Sequence, residues 1–579
     1  MAYNNKCNNF LKKYGFPAIF IFTIVILISG FTMINLQTTQ QKTQPKKVNL
    51  SVFYINDVHG QVGNMKRIMQ GAHHFDEFVA QHPDVGGVKV SSGDICIGAD
   101  SSLGAAATEF KNIVGIEVET LGNHEFDSEL KDFIEHVDNS KATTIITNIE
   151  TDDDSPLNNK FRCSYIKEIN GEKYGFLGVL PPELEERLKS PAMKQGIEVE
   201  DDDDTIEMLQ EEVNNLEKQG INKIILLSHG GYALEKKIAQ KVSGIDIIHG
   251  GHSHTLVKGV VPNENYFYSP RKEPVLYTQA GGDGQYFGIL NVTFENGIIK
   301  AAKNNVISTL SESIDAAGAA QMDSFLGKNE VIGKIQHIDK LPKSRYVEEH
   351  PIANFMLDAI RSEVGADVAF MNSGSIRGSL KKGDVTNQEI SLIAPFKNKL
   401  CLAYLNEAEL IQTVENGLNS FKTTNKKPGI VQVSGLKYVG TDSGELKELY
   451  FIDKSGLEQK IDVKNPNLEK KYLVAADDFM VSGREGFTGL NKINNLHKMF
   501  DYDKDYPVIE YIKKQSDKPI VIKKDGRIKI IEAKEKNNKN LSNFYQPSSL
   551  MAENFYKIIQ QSNAINANKH TTSTFTQSA

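Results

Sequence analysis

Five short polar clusters in the first half of the chain are built from aspartate, asparagine and histidine. They are Asn56-Asp57-Val58-His59-Gly60, Ser92-Gly93-Asp94, Gly122-Asn123-His124-Glu125-Phe126-Asp127, Ser228-His229-Gly230-Gly231 and Gly250-Gly251-His252-Ser253-His254. Carboxylate, amide and imidazole donors without thiolate suit zinc, manganese or a related divalent ion. Asp57 and His59, like His252 and His254, lie two residues apart and share one face of an extended chain. Asp94 offers a carboxylate that could bridge two ions. Paired ions about 4 Å apart serve in-line displacement at phosphorus. Hydrolysis of a phosphate ester is the reaction these clusters indicate. His124 is then free to protonate the leaving alkoxide while Asp127 holds its ring. A single strand-end histidine would be read as an ordinary hydrogen-bonder; five such clusters carry the argument.

Each cluster follows a β-branched or apolar run. The spacing predicts strands over Leu50–Ile55, Val88–Ser91, Glu117–Leu121, Thr144–Thr147, Lys223–Leu227 and Ile245–Ile248. Between them Ile206, Leu209, Val213 and Leu216 recur at helical spacing, predicting a helix over Thr205–Gln219 with Asp204 and Glu207 at its start and Gly220 closing it. The acidic run Glu200–Asp204 then reads as a solvated helix entry, not as a metal site. Alternating strands and helices imply a layered α/β domain, whose strand ends are where ligands bind. A helical stretch, Ser311 to Leu326, follows. A second α/β pattern comes after it, with helices near Ile352–Val364 and Glu407–Leu418 and strands over Val368–Met371, Leu400–Leu405 and Leu473–Ala475.

The chain has 579 residues, 40% hydrophobic and 24% charged, which exceeds one core and suits several globular units. A net charge of −8 argues against binding a nucleic-acid polymer. The four cysteines are scattered and form no CxxC pair, which excludes a disulfide framework and a cysteine zinc site. Phe16 to Leu36 is an uncharged apolar stretch preceded by Lys6, Lys12 and Lys13. About 20 apolar residues span a bilayer, and the lysines would stay on the cytoplasmic side. The expected layout is therefore a membrane anchor or signal segment over 1–36, a polar linker over 37–47, and catalytic domains outside the cytoplasm. Without a small-residue cleavage site an uncleaved anchor is favoured; cleavage would make the protein secreted. The remaining expected bounds are 48–305 for the first domain, 306–340 for an interdomain helix and linker, 341–532 for the second domain and 533–579 for a polar tail, disordered from Ala564 on.

The series INDVHG, GD, GNHEFD, LSHGG and GGHSHT resembles the calcineurin-like metallophosphoesterases and, more narrowly, the two-domain 5′-nucleotidases, a group that includes UDP-sugar hydrolases and 2′,3′-cyclic-nucleotide phosphodiesterases. The resemblance covers residues 48 to 532. It implies a four-layer α/β/β/α domain holding two divalent ions, zinc or manganese, followed by a smaller α/β domain that binds the nucleoside. Carried over by motif, Asp57, His59, Asp94 and His254 would hold one ion. Asp94, Asn123, His229 and His252 would hold the other, with His124 and Asp127 as the catalytic pair. In the second domain NSGSIR, with Asn372 and Arg377, resembles an NGGGIR motif, and Arg345 begins a stretch resembling the helix entry before it. The arginines would clamp phosphate. Phe396 and Asn398 lie in a PFxN element, and Phe479 in a region resembling FxxxGGDGY; the two rings would flank a nucleobase. Two departures bear on the substrate: hydroxyls at Ser373 and Ser375 replace glycines, and Arg484-Glu485 replaces Gly-Asp, placing Glu485 where a ribose-binding carboxylate is expected. The implied activity is hydrolysis of nucleoside 5′-phosphates, with cyclic nucleotides or UDP-sugars as alternatives. The full ligand set and the His124–Asp127 pair argue against a surface protein that only binds.

Overall fold

The computed structural model describes residues 46–188, 194, 197–423, 426–515 and 518–533. The apolar stretch Phe16–Leu36 and the tail beyond residue 533 lie outside the described residues. Among the described residues no helix is long and apolar enough to cross a membrane.

Two six-stranded sheets form the first domain. One runs in the order Ile298–Ser308, Tyr286–Glu295, Lys47–Ile55, Val85–Ser92, Val118–Thr120, Thr143–Thr144. The other runs Tyr266–Tyr268, Pro274–Thr278, Ile247–His249, Ile224–Ser228, Glu172–Val179, Ser164–Ile169. Strand alternation sorts the side chains into layers. Leu50, Val52 and Tyr54 face the second sheet, packing with Phe176, Ile225 and Leu227. Phe53 and Ile55 point the other way, into a core shared with the helices Val62–Gln81 and Ser101–Val114. Leu177, Val179, Leu226 and Ile248 of the second sheet pack with Leu209, Val213, Leu234 and Ile238 from the helices Asp202–Lys218 and Gly231–Lys241. The result is the expected α/β/β/α stack.

Local chemistry shifts three of the expected elements. The acidic helix begins at Asp202, not Thr205: Asp201 is its cap, accepting from the amides of Asp203 (2.9 Å) and Asp204 (3.0 Å). Asp202–Asp204 thus fill the first turn, where the helix dipole favours negative charge. The strand expected over Thr144–Thr147 is only Thr143–Thr144; beyond it Ile145 makes a single bridge to Arg162, and the Thr147 hydroxyl is used by the Cys163 carbonyl. The helix expected over Ser311–Leu326 is shortened to Ala316–Asp323 because Asp315 caps it, accepting from Ala317 and Gly318 at 3.1 Å.

The strand Val331–Ile338 pairs with Gly383–Thr386 and Ile520–Ile522, so the second sheet system already begins within the stretch 306–340. A five-stranded sheet follows in the order Val431–Ser434, Val368–Asn372, Lys471–Asp477, Lys399–Asn406, Lys498–Asp503. The helix Glu407–Leu418, started by an Asn406–Glu409 capping box, packs on one of its faces. Pro351–Val364 packs on the other, with Tyr506–Lys514 beside it.

Candidate active site

All five clusters emerge from the carboxyl ends of strands that run parallel to one another within their own sheets, and the two sheets bring them to one rim. The loops continue the strand pairing: Asp57 N bonds Gly93 O (3.0 Å) and His59 N bonds Asp94 O (2.9 Å). Asp57, His59, Asp94, His252 and His254 all adopt left-handed backbone, with φ of 49°, 52°, 52°, 65° and 53°. Non-glycine residues rarely sit there, at a cost of about 1–3 kcal/mol each, and such strain gathers at functional sites. Close approach demands glycine in two places: a Cβ on Gly122 would lie 2.2 Å from Asp94 Oδ1, and one on Gly93 2.2 Å from the Gly122 amide.

The side chains converge on two carboxylates. Asp94 Oδ2 lies 3.2 Å from His59 Nε2 and 3.1 Å from His229 Nε2. Asp57 Oδ1 lies 3.4 Å from His254 Nε2 and 3.8 Å from His229 Nε2. Asn123 Oδ1 is 2.9 Å from His252 Nδ1. Three overlapping sets could each hold a cation: Asp57–His59–His254, Asp94–His229–His252, and His59–Asp94–His124. His229 tests the fit. Its Nδ1 is 2.6 Å from the Ser92 carbonyl, which fixes the tautomer, while its buried Nε2 has no hydrogen-bond partner. A buried ring nitrogen oriented from its far side and aimed at a cluster of carboxylates is what a metal ligand presents. Electrostatics agree. Burial opposes protonation of His59, but hydrogen bonds and charge from Asp283, Asp94 and Asp57 prevail and raise its pKa to about 9. Against burial likewise, the Asp94 and Asp57 charges raise His229 to about 10. This rim is built for positive charge.

Around this cluster sit four residues that the sequence reading missed. Glu125 accepts from the amides of Asp94 (2.9 Å), Ile95 (2.8 Å), Cys96 (3.3 Å) and Gly122 (2.7 Å), so one carboxylate ties the Asp94 loop to the Asn123–His124 loop. Glu125→Gln is expected to weaken metal binding by about 10–100-fold, the usual effect of disturbing a ligand's support, as checked by calorimetric titration. Asp283 faces His59 Nδ1 at 3.4 Å. It follows the strand Pro274–Thr278 within a glycine-rich turn, the same signal as the other clusters. Glu183 Oε1 is 3.1 Å from His252 Nε2, and nothing in its sequence context marks it. The fourth is Tyr346.

His124 Nδ1 is 2.6 Å from Asp127 Oδ2, which also accepts from the Gly98 amide at 2.9 Å. With Nδ1 engaged, Nε2 is the nitrogen left to exchange a proton. Asn123, His124 and Asp127 line a cleft of about 460 Å³ together with Asn372, Arg377, Phe396, Asn398, Phe479 and Glu485 from the second domain. The Phe396 ring is 5.9 Å from the His124 imidazole, Lys397 pairs with Asp100 at 3.0 Å, and Gln61 donates to the Arg377 carbonyl at 3.3 Å. Six of the seven expected substrate residues therefore share the cleft with the His124–Asp127 pair. Arg345 does not. Its guanidinium stacks over Tyr346 (5.2 Å) and bonds the Ile376 carbonyl (2.8 Å) on the flank bounded by Asp283 and Arg377, and it is Tyr346 that lines the cleft. Among the described residues neither Arg345 nor Arg377 pairs with a carboxylate, and burial, then the Arg345 charge, lowers the pKa of Arg377.

The fold and this rim define a metal-dependent phosphoester hydrolase. Residues 50–256 match the calcineurin-like phosphoesterase family and residues 331–492 the 5′-nucleotidase C-terminal domain. The chain belongs to the two-domain 5′-nucleotidase family. The trifunctional nucleotide phosphoesterase protein YfkN of Bacillus subtilis is 27% identical, over 83% of this chain and 35% of its own length. The chain thus spans about a third of that relative. The 5′-nucleotidase of Mus musculus is 26% identical over 74% of this chain and 79% of that one. The solved 5′-nucleotidase precursor of Thermus thermophilus shares the fold, with a TM-score of 0.67 at 24% identity over 83% of this chain and 99% of that one.

Proposed function

We propose that the protein hydrolyses nucleoside 5′-monophosphates to nucleoside and phosphate outside the cytoplasm, using two divalent ions, zinc or manganese. The observation that carries this reading is the shared cleft, where His124 and Asp127 face Arg377 and two phenylalanines across about 460 Å³. Asp57, His59, Asp94 and His254 would hold one ion and Asp94, Asn123, His229 and His252 the other. Such a pair, when bound, acidifies water and neutralises charge at phosphorus. Arg377, a half-buried cation with no carboxylate partner among the described residues, suits a phosphoryl oxygen. His124, steadied by Asp127, would donate its Nε2 proton to the departing ribose oxygen. Phe396 and Phe479 offer faces for the base. The apolar stretch Phe16–Leu36 supports a location beyond the membrane.

The test is phosphate release from AMP, UMP and 4-nitrophenyl phosphate, with chromatographic detection of the cleavage of UDP-glucose and 2′,3′-cyclic AMP, whose pyrophosphate and cyclic diester bonds open without freeing phosphate, all with added zinc or manganese and with EDTA. Release from AMP should exceed that from the aryl phosphate and disappear with the chelator. Turnover of the aryl phosphate alone would remove the nucleoside reading. Preference for UDP-glucose or the cyclic nucleotide would move the assignment to those substrates.

A further inference from the structure

Beneath the nucleoside end of the cleft lies a chain of buried polar groups that starts at one ammonium. Lys504 is 3% exposed, and its Nζ lies 2.6 Å from Asp477 Oδ2, 3.3 Å from Ser375 Oγ and 5.9 Å from the centre of the Phe396 ring. Asp477, also 3% exposed, passes the constraint on twice. Its Oδ2 accepts from Asn398 Nδ2 (3.2 Å), and its Oδ1 caps the short helix Asp478–Val481 through the Met480 amide (3.0 Å). Phe479 sits in the first turn of that helix. Ser375 passes it on in another direction, donating to Asn372 Oδ1, while Asn372 Nδ2 donates to Glu485 Oε2 at 3.1 Å.

Hydrogen-bond polarity makes Lys504 the origin of this chain. An ammonium is a donor only, so Ser375 must accept from it, and the single hydroxyl hydrogen is left for Asn372. With its oxygen taken, the Asn372 amide presents its NH₂ group to Glu485; the reverse orientation would set two oxygens against each other. Glu485 holds a left-handed φ of 52° and is exposed, so this bond is one that orients it. The hydroxyl at Ser375, a departure from the glycine of the NGGGIR pattern, thereby acquires a purpose.

We propose that Lys504 is a positioning residue for nucleoside recognition: it touches no substrate but sets Asn372, Asn398, Phe479 and Glu485 in one geometry through Asp477 and Ser375. This rests on the nucleotide reading above. It predicts that Lys504 governs the preference for a nucleotide over a phosphate ester that lacks ribose and base, not hydrolysis as such.

The readout is the ratio of kcat/KM for AMP to that for 4-nitrophenyl phosphate, measured with the metal-loaded full chain. Lys504→Met is paired with Asp477→Asn so that no unpaired charge is buried and the helix keeps its capping oxygen. The ratio should fall about tenfold, chiefly through KM for AMP, and Ser375→Ala should lower it about threefold, as lost hydrogen bonds of this kind do. General damage to the fold would lower both rates together and leave the ratio unchanged. Should the double variant not fold, Ser375→Ala decides alone. A wild-type ratio showing no preference for AMP would overturn the nucleotide reading itself. A wild-type preference retained in the variants would overturn the role of Lys504 while leaving that reading intact.

Discussion

Asp94→Asn is expected to lower turnover by about 10⁴-fold or more, on the order of 5–6 kcal/mol of transition-state stabilisation. The reason is geometric. Asp94 Oδ2 is within 3.2 Å of His59 and 3.1 Å of His229, members of different candidate ion sets, so its charge serves both. Asparagine keeps the shape and can still accept from the His124 amide, now 2.8 Å from Asp94 Oδ1. What it loses is the negative charge that offsets the desolvation of a cation on a buried rim. Bound metal, counted by elemental analysis, should fall with activity. The rise in melting temperature that metal confers on the wild type, by binding the folded state alone, should shrink with it. Near-normal turnover in a metal-loaded variant would sink the two-ion reading.

His124→Ala separates two roles that geometry alone leaves side by side. The imidazole is close enough to His59 and Asp94 to join an ion set, yet its Nδ1 is engaged by Asp127 at 2.6 Å and it lines the cleft shared with the second domain. As a proton donor to the leaving oxygen it should contribute about 10²–10⁴-fold on AMP, whose ribose alkoxide leaves poorly. On 4-nitrophenyl phosphate, whose phenolate needs no proton, the loss should be far smaller, and bound metal should stay at the wild-type level. Loss of one ion per chain, with both substrates slowed alike, would instead make His124 a ligand.

Side-chain type and order were enough to name the clusters, because a strand that ends in Asp, Asn or His must present it at a sheet rim. Asp57, His59, Asp94, Asn123, His124, His229, His252 and His254 do meet there. Supporting groups were harder to see. Glu125 stood in plain view within GNHEFD, but only the folded loops show its carboxylate gathering amides some thirty residues away in the chain, at Asp94, Ile95 and Cys96. The motif singles out Arg345 and passes over its neighbour Tyr346, which is the one that lines the cleft. Which of two neighbours faces a cleft depends on how the backbone enters it, and here the Tyr346 carbonyl accepts from the Ile430 amide at 2.9 Å while its ring packs beside Gly429.

The chemistry and its scaffold follow from the order of residues alone: hard and borderline donors at strand ends, apolar alternation that builds two stacked sheets, and helical periods that cover them. These depend on local periodicity and residue type, which neighbours in the chain suffice to specify. The folded molecule sets the register between distant segments. It placed Phe396 5.9 Å from His124, set Arg345 behind Tyr346, and ran a donor chain from Lys504 to Glu485. Contacts of that kind arise from packing within the second domain and, for Phe396 and His124, across the two domains, where hydrogen-bond polarity and van der Waals contact, not residue type, select the partner.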